Sequence, residues 1–341
     1  MRHIKLAFIG FGNVGKALAR LFLAKREELI ESYQISYSIT GIATSKHGIA
    51  IDLDGMDLDQ MLRAVEFNTL NRESLINNPF DFIKKCQADV LFENTPVNYH
   101  TGQPAADHLK AALEAGMHAI TANKGPVVHA YRELTELARQ KQRKFYFESA
   151  VMDGAPIFSL FRETLPGARL LSFRGILNST TNMILTLMEQ GKTFEEAVAY
   201  CQEIGIAETD PSGDIDGWDA AVKIAALSTV LMGIPLKPAQ VDRRGIRSIS
   251  SKNVMDAVKL GKRWKLVCSA RRSGNVINAS VAPELVDMNS PLFIVNGTTS
   301  IIQFETDVLK SLSIVESDPG PTTTAYGLFA DFLNAVKREN I

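Results

Sequence analysis

Two lysines and a string of carboxylates are the residues best suited to chemistry. Lys124 closes the run Thr121-Ala122-Asn123-Lys124. Lys223 closes a segment that opens at Gly205 and carries Glu208, Asp210, Asp214, Asp216 and Asp219. A lysine amine can take up or release a proton where its surroundings permit the neutral form. Grouped carboxylates recognise a cation. Asp219 and Lys223 stand four residues apart in an Ala-rich helix predicted over 217–232, so they share one helical face. An acid–lysine pair at the head of an apolar helix reads as a partly buried functional pair rather than a solvated stripe. The acidic loop before it has three readings: a solvated surface, a calcium loop or a cation-recognising site. The EF-hand series of acidic ligands fails there.

The other chemical signal is Gly10-Phe11-Gly12-Asn13-Val14-Gly15. It follows a predicted buried strand, Ile4–Ile9, and precedes an apolar-periodic helix through Val14, Leu18, Leu21 and Phe22, which is the context a dinucleotide fingerprint requires. Gly10 permits the tight turn, Gly12 lets backbone approach a pyrophosphate, and Gly15 lets helix and strand pack closely. Asn13 and Val14 open the helix whose free N–H groups face the phosphates. A second strand, 34–44, ends in Ala43-Thr44-Ser45-Lys46-His47, without the acid that reads a ribose 2′-hydroxyl in an NAD site. Ser45 and Lys46 suit a 2′-phosphate, which favours NADP over NAD. Lys46 also reads as a solvated loop lysine.

Further strands are predicted at 89–93, 118–121 and 144–148, with helices at 58–65, 79–86 and 103–115. Ligands of a doubly wound sheet lie at strand C-termini, which places Thr95 and Lys124 on the ligand side. The fold expected is α/β, a Rossmann-type domain over 1–150 completed by a returning C-terminal helix, 318–341. An α+β domain with a mixed sheet, 151–317, would bind substrate and dimerise. Its expected elements are a helix at 157–164, a strand at 169–177, helices at 183–189 and 192–204, and strands at 264–270, 276–281, 300–304 and 308–314. Asn178-Ser179-Thr180-Thr181-Asn182 before a helix suits simple capping or an anion equally. Gly205 reads as a helix-ending glycine, and the Pro319-Gly320-Pro321 turn opens the last helix.

Composition narrows the field. The chain has 341 residues, 45% hydrophobic and 22% charged, with a net charge of −1, so no signature of a nucleic-acid or membrane partner appears. The 3 cysteines, Cys86, Cys201 and Cys268, lack metal or disulfide spacing, which points to a reducing cytoplasm. The N-terminus runs straight into a strand and does not read as a signal peptide. No run approaches the ~18 apolar residues of a membrane span.

The chain resembles homoserine dehydrogenase. The matching segments are GFGNVG at 10–15, TANK at 121–124, GILNSTTNMIL at 175–185, GIAETDPSGDIDGWDAAVK at 205–223 and DPGPTTTAYGLFAD at 318–331. The resemblance implies a catalytic set of Lys223, Lys124 and Asp219, in which Lys223 is the proton donor and acceptor and Lys124 contacts substrate and cofactor. It implies that Glu208, Asp214 and Asp219 hold the substrate amino group and that Thr180 meets its carboxylate. Gly205 and Gly320 would meet the cofactor. A structural monovalent cation, usually sodium, would sit on the carbonyls of Glu148, Val151, Asp153 and Ala155. A homodimer is implied as well. Ser179 departs from the family's usual glycine, and Met152-Asp153-Gly154 from a glycine-richer cation loop. The sequence carries no counterpart of the regulatory domain of some members, so feedback by threonine through such a domain is not expected. Two rivals are a thioester-forming aspartate-semialdehyde dehydrogenase, which needs a thiolate, and a non-catalytic NADP-binding regulator. The cysteines lack a nucleophile turn, and a sensor has no need of a proton-transfer lysine.

Overall fold

The computed structural model describes residues 1–70, 76 and 78–337. The last four residues of the expected 318–341 segment lie outside them. The chain divides into two compact units, Met1–Pro156 with Gly320–Ile341, and Ile157–Pro319.

The first unit runs β1 (Arg2–Ile9), α1 (Asn13–Ala24), α2 (Arg26–Tyr33), β2 (Ile35–Ala43), β3 (Ile49–Ile51), α3 (Leu58–Arg63), α4 (Pro79–Lys85), β4 (Val90–Glu93), α5 (Ala105–Glu114), β5 (His118–Thr121), α6 (Lys124–His129), α7 (Tyr131–Gln140) and β6 (Phe145–Tyr146). The sheet order is β3-β2-β1-β4-β5-β6. Neighbours are parallel except for β3, which pairs antiparallel with β2. Leu6 to Ile9 are buried without alternation, as a strand covered on both faces must be. Phe8, Phe22, Phe92 and Phe332 are fully buried, each stabilising by roughly 1.5–3 kcal/mol.

Phe332 belongs to α13 (Pro321–Val336), which returns to this unit and packs on α1. Its ring centroid is 5.0 Å from that of Phe22. Gly327 allows the close approach on its other side. A Cβ there would lie 2.2 Å from Ser149 Oγ and 2.9 Å from the Asp153 carbonyl oxygen.

The second unit runs β7 (Leu170–Ile176), α8 (Ser179–Glu189), α9 (Phe194–Glu203), α10 (Ser212–Ile215), α11 (Trp218–Leu231), β8 (Asp242–Arg243), α12 (Ser251–Lys259), β9 (Lys262–Ser273), β10 (Val276–Asp287), β11 (Ser300–Thr306) and β12 (Leu312–Glu316). The sheet order is β12-β11-β7-β9-β10-β8. It is antiparallel except for the parallel two-residue pairing of β10 with β8, which alone makes it mixed. Helices α8, α11 and α12 all pack on β9.

Three expectations shift. The strand expected at 144–148 is only Phe145–Tyr146, followed by a 3-10 turn at Glu148–Ala150. α13 takes the backbone there, since Glu148 N–H donates to Asp331 Oδ2 at 2.7 Å and Ser149 Oγ donates to the Thr324 carbonyl at 2.7 Å. The strand expected at 308–314 begins at Leu312, because Thr306 and Leu309 close a turn through Thr306 Oγ1, which accepts Leu309 N–H at 2.7 Å. The helix expected at 157–164 contains a π-helical stretch, Leu160–Thr164.

Candidate active site

The first unit supplies a nucleotide crevice. Strand order reverses at β1, between β2 and β4, so the crevice opens at the C-termini of β1 and β4. Gly10 has φ +86°, and a Cβ on it would lie 2.5 Å from the Asn94 carbonyl oxygen. Gly12 faces open space, with nothing within 4 Å of a built Cβ. It is also the N-cap of α1, with no side-chain cap bond, which leaves N–H groups for a phosphate. Asn13 and Val14 form the first turn, and Gly15 packs against the Gly10 carbonyl. This cradle fits a dinucleotide. Ser45 and Lys46 are exposed on the loop between β2 and β3.

The sequence reading missed a buried network under the crevice. Glu93 ends β4 fully buried and accepts from the Thr95 hydroxyl, from Thr95 N–H at 3.3 Å and from Thr121 Oγ1 at 3.3 Å. His108 Nδ1 of α5 lies 3.5 Å from its carboxylate. Asn123 Nδ2 donates to the Thr95 carbonyl at 3.1 Å, and Asn123 Oδ1 caps α6 by accepting Gly125 N–H at 2.9 Å. Lys124 therefore stands at the first position of a capped helix, half-buried. A glutamate ending an otherwise apolar strand was the available signal.

The second unit supplies a polar cluster at the head of α8. Asn178 caps that helix, with Oδ1 accepting Thr181 N–H at 2.9 Å and Thr181 Oγ1 at 2.8 Å. Its Nδ2 donates to Asp214 Oδ1 at 2.7 Å and to Asp219 Oδ2 at 3.1 Å. Thr180 Oγ1 donates to Asp214 Oδ2 at 2.9 Å. Lys223 Nζ donates to the Leu177 carbonyl at 2.5 Å and lies 3.2 Å from Asp219 Oδ2. Burial, and then the neighbouring Asp219 charge, push the Asp214 carboxyl above its ordinary range, against the hydrogen bonds of Asn178 and Thr180 and the charge of Lys223.

The acidic string thus separates by role. Asp214 and Asp219 join Lys223. Asp216 turns to a pair of arginines: Arg247 Nε donates to its carboxylate at 2.5 Å, and Arg243 donates to its carbonyl while lying 3.8 Å over the Trp218 ring. Asp210 Oδ1 accepts Ser212 N–H at 3.1 Å. Glu208 is exposed, with its backbone carbonyl accepting from Gln202 Nε2 at 3.3 Å. Gly205 ends α9 at φ +75°, and Gly320 is the N-cap of α13.

Glu148, Val151, Asp153 and Ala155 follow one another in a tight stretch of the first unit, with Asp153 at φ +36° and Ala155 N–H donating to the Met152 carbonyl at 2.8 Å. Among the described residues no group of three or more His, Cys, Asp and Glu is arranged for a metal ion. A cation there would rest on carbonyl oxygens. All three thiols are free and buried; burial pushes Cys86 and Cys201 up to about 11 and Cys268 up to about 12, so none offers a thiolate. No helix among the described residues is long and apolar enough to cross a membrane.

The family model "Homoserine dehydrogenase" matches residues 156–333, and the model "Homoserine dehydrogenase, NAD binding domain" matches 10–148. The chain is 38% identical to a homoserine dehydrogenase of Methanocaldococcus jannaschii, covering 96% of this chain and 97% of that one. It is 33% identical to an NAD(+)-dependent homoserine dehydrogenase of Pseudomonas canavaninivorans, covering 98% and 96%. A hyperthermophilic archaeal homoserine dehydrogenase solved in complex with NADPH superposes with a TM-score of 0.82 at 27% identity, covering 98% of each chain.

Proposed function

Because this chain belongs to the homoserine dehydrogenase family, we propose that Lys223 moves the proton in its NAD(P)-dependent interconversion of L-homoserine and L-aspartate 4-semialdehyde. The observation that carries this is the anchored amine. Two of its three ammonium donors engage Leu177 and Asp219, which aims the nitrogen and leaves one position for the substrate oxygen. Asp214 and Asp219, with Glu208, hold the substrate ammonium. Thr180, in the first turn of α8, meets the substrate carboxylate, where free N–H groups and the helix dipole favour an anion.

Gly10, Gly12, Asn13, Val14 and Gly15 hold the pyrophosphate of the nicotinamide cofactor, which supplies or accepts the hydride when bound. Thr95, Lys124, Gly205 and Gly320 are proposed further cofactor contacts, and Ser45 and Lys46 readers of a 2′-phosphate. NADP is the proposed preference. Glu148, Val151, Asp153 and Ala155 are proposed to hold a structural monovalent cation through hard carbonyl donors. The enzyme serves amino-acid biosynthesis. The free thiols suit a cytosolic setting, which is the location proposed.

The test is oxidation of NADPH and NADH at 340 nm with L-aspartate 4-semialdehyde. Lys223→Ala is expected to lower kcat by about 10²-fold or more, the usual reach of acid–base catalysis. A folded variant with wild-type kcat sinks the proton-transfer role. Cofactor binding without turnover by the wild-type protein would instead favour a regulator.

A further inference from the structure

We infer that Asn178 is a positioning residue that bridges the Asp214–Asp219 pair and thereby sets the charge that Lys223 and the substrate ammonium meet. This rests on the reading of Asp214, Asp219 and Lys223 just given. The geometry allows the amide only one sensible orientation. Its oxygen is taken twice by Thr181, through N–H and hydroxyl, at 2.9 and 2.8 Å. Both nitrogen donors must therefore face the carboxylates, at 2.7 and 3.1 Å. Asn178 is buried, so water does not compete for these bonds.

Two carboxylates side by side repel, and one of them tends to take a proton. A bridging amide opposes this without adding charge. Among the described residues, elements of the second unit besides α8 bring acids, a thiol and an amine to this cluster. Asp214 comes from α10, and Asp219 and Lys223 from α11. From β9 comes the Cys268 thiol, which burial keeps protonated, and from β10 comes Glu284, which pairs with Arg174 of β7 at 2.6 Å. Asn178 is a neutral donor shared by both aspartates, while Lys223 is the cation beside Asp219.

Asn178→Asp tests this. Aspartate retains the N-cap, so α8 keeps its start. It removes both donors and adds a third carboxylate, which favours the ammonium form of the lysine. In homoserine oxidation the lysine must be neutral to accept the hydroxyl proton. The midpoint of the kcat–pH profile should therefore move upward by about one unit or more, as expected for an added like charge in a buried site. The KM for NADP should hold. An unchanged profile, with unfolding also unchanged, overturns the inference. If Asn178→Asp does not fold, Asn178→Ser, which also caps, serves instead. It should raise the homoserine KM several-fold while leaving the NADP KM alone; equal changes in both, or neither, overturn the inference. Lys223→Ala run in parallel separates the two failures. An active Lys223→Ala sinks the underlying reading, whereas an inactive one beside a wild-type-like Asn178→Asp sinks only the bridge.

Discussion

At the scale of single residues, the acids that look alike in sequence do different work. Asp214, Asp216 and Asp219 alternate closely, yet Asp216 faces two arginines while its neighbours face an amide and a lysine. Helix geometry made Asp219 and Lys223 legible as a pair, because an i,i+4 spacing is local. Asn178 was legible as part of a run suited to capping or to an anion, but not as a bridge, since its donors act on residues 36 and 41 positions away. A residue-scale expectation also follows for the cofactor. Lys46 is exposed beside the second strand, so Lys46→Glu should place a carboxylate where a 2′-phosphate would lie. The ratio of kcat/KM for NADPH over NADH should fall by about tenfold or more, roughly the 1.4 kcal/mol of one close charge contact. An unchanged ratio would remove Lys46 from the site.

At the scale of elements, a buried tie holds α8 to its sheet. Lys265 of β9 is wholly buried, and its Nζ donates to Asn182 Oδ1 of α8 at 2.9 Å and to the Val295 carbonyl at 2.5 Å. Asn182 Nδ2 in turn donates to the Gly297 carbonyl at 3.0 Å. Burial pushes Lys265 down from 10.5 to about 8. A depressed folded value means that this contribution to stability is fully present above 10.5 and is lost as pH falls through about 8. Stability from this group should rise between those limits, by at most about 3 kcal/mol. Urea unfolding of wild type and Lys265→Met at pH 8 and pH 10 reads the difference. Parallel slopes for the two proteins would show that Lys265 does not titrate there. Helices α7 and α12 went unread in the sequence, whereas helices α1, α5, α9 and α11 and the apolar strands were visible. β3, with three residues, and β8, with two, were not, because such short pieces carry no period.

At the scale of the whole molecule, the second unit leaves a broad sheet face open. A hollow of about 630 Å³ on it is lined in part by Arg174, Asp242, Arg271 and Ser280, and by none of the candidate site residues. We propose that the protein is a homodimer that uses this face, since a wide polar sheet surface can be self-complementary about a two-fold axis. Sedimentation equilibrium should give twice the 37.5 kDa chain mass, and Arg174→Glu with Arg271→Glu should lower it toward one chain. A monomeric wild-type protein would reject the dimer.

The sequence by itself determined the chemistry on offer: a glycine turn between strand and helix, an acid–lysine pair on one helical face, and a lysine at a strand end. Each depends on near neighbours in the chain, where backbone geometry dictates the outcome. Only the tertiary structure decided that Asn178 ties Asp214 to the Asp219–Lys223 pair, that Glu93 is wholly buried beneath the crevice, and that the returning α13 packs Phe332 against Phe22. Those outcomes depend on burial and on partners distant in the chain, which local periodicity does not encode.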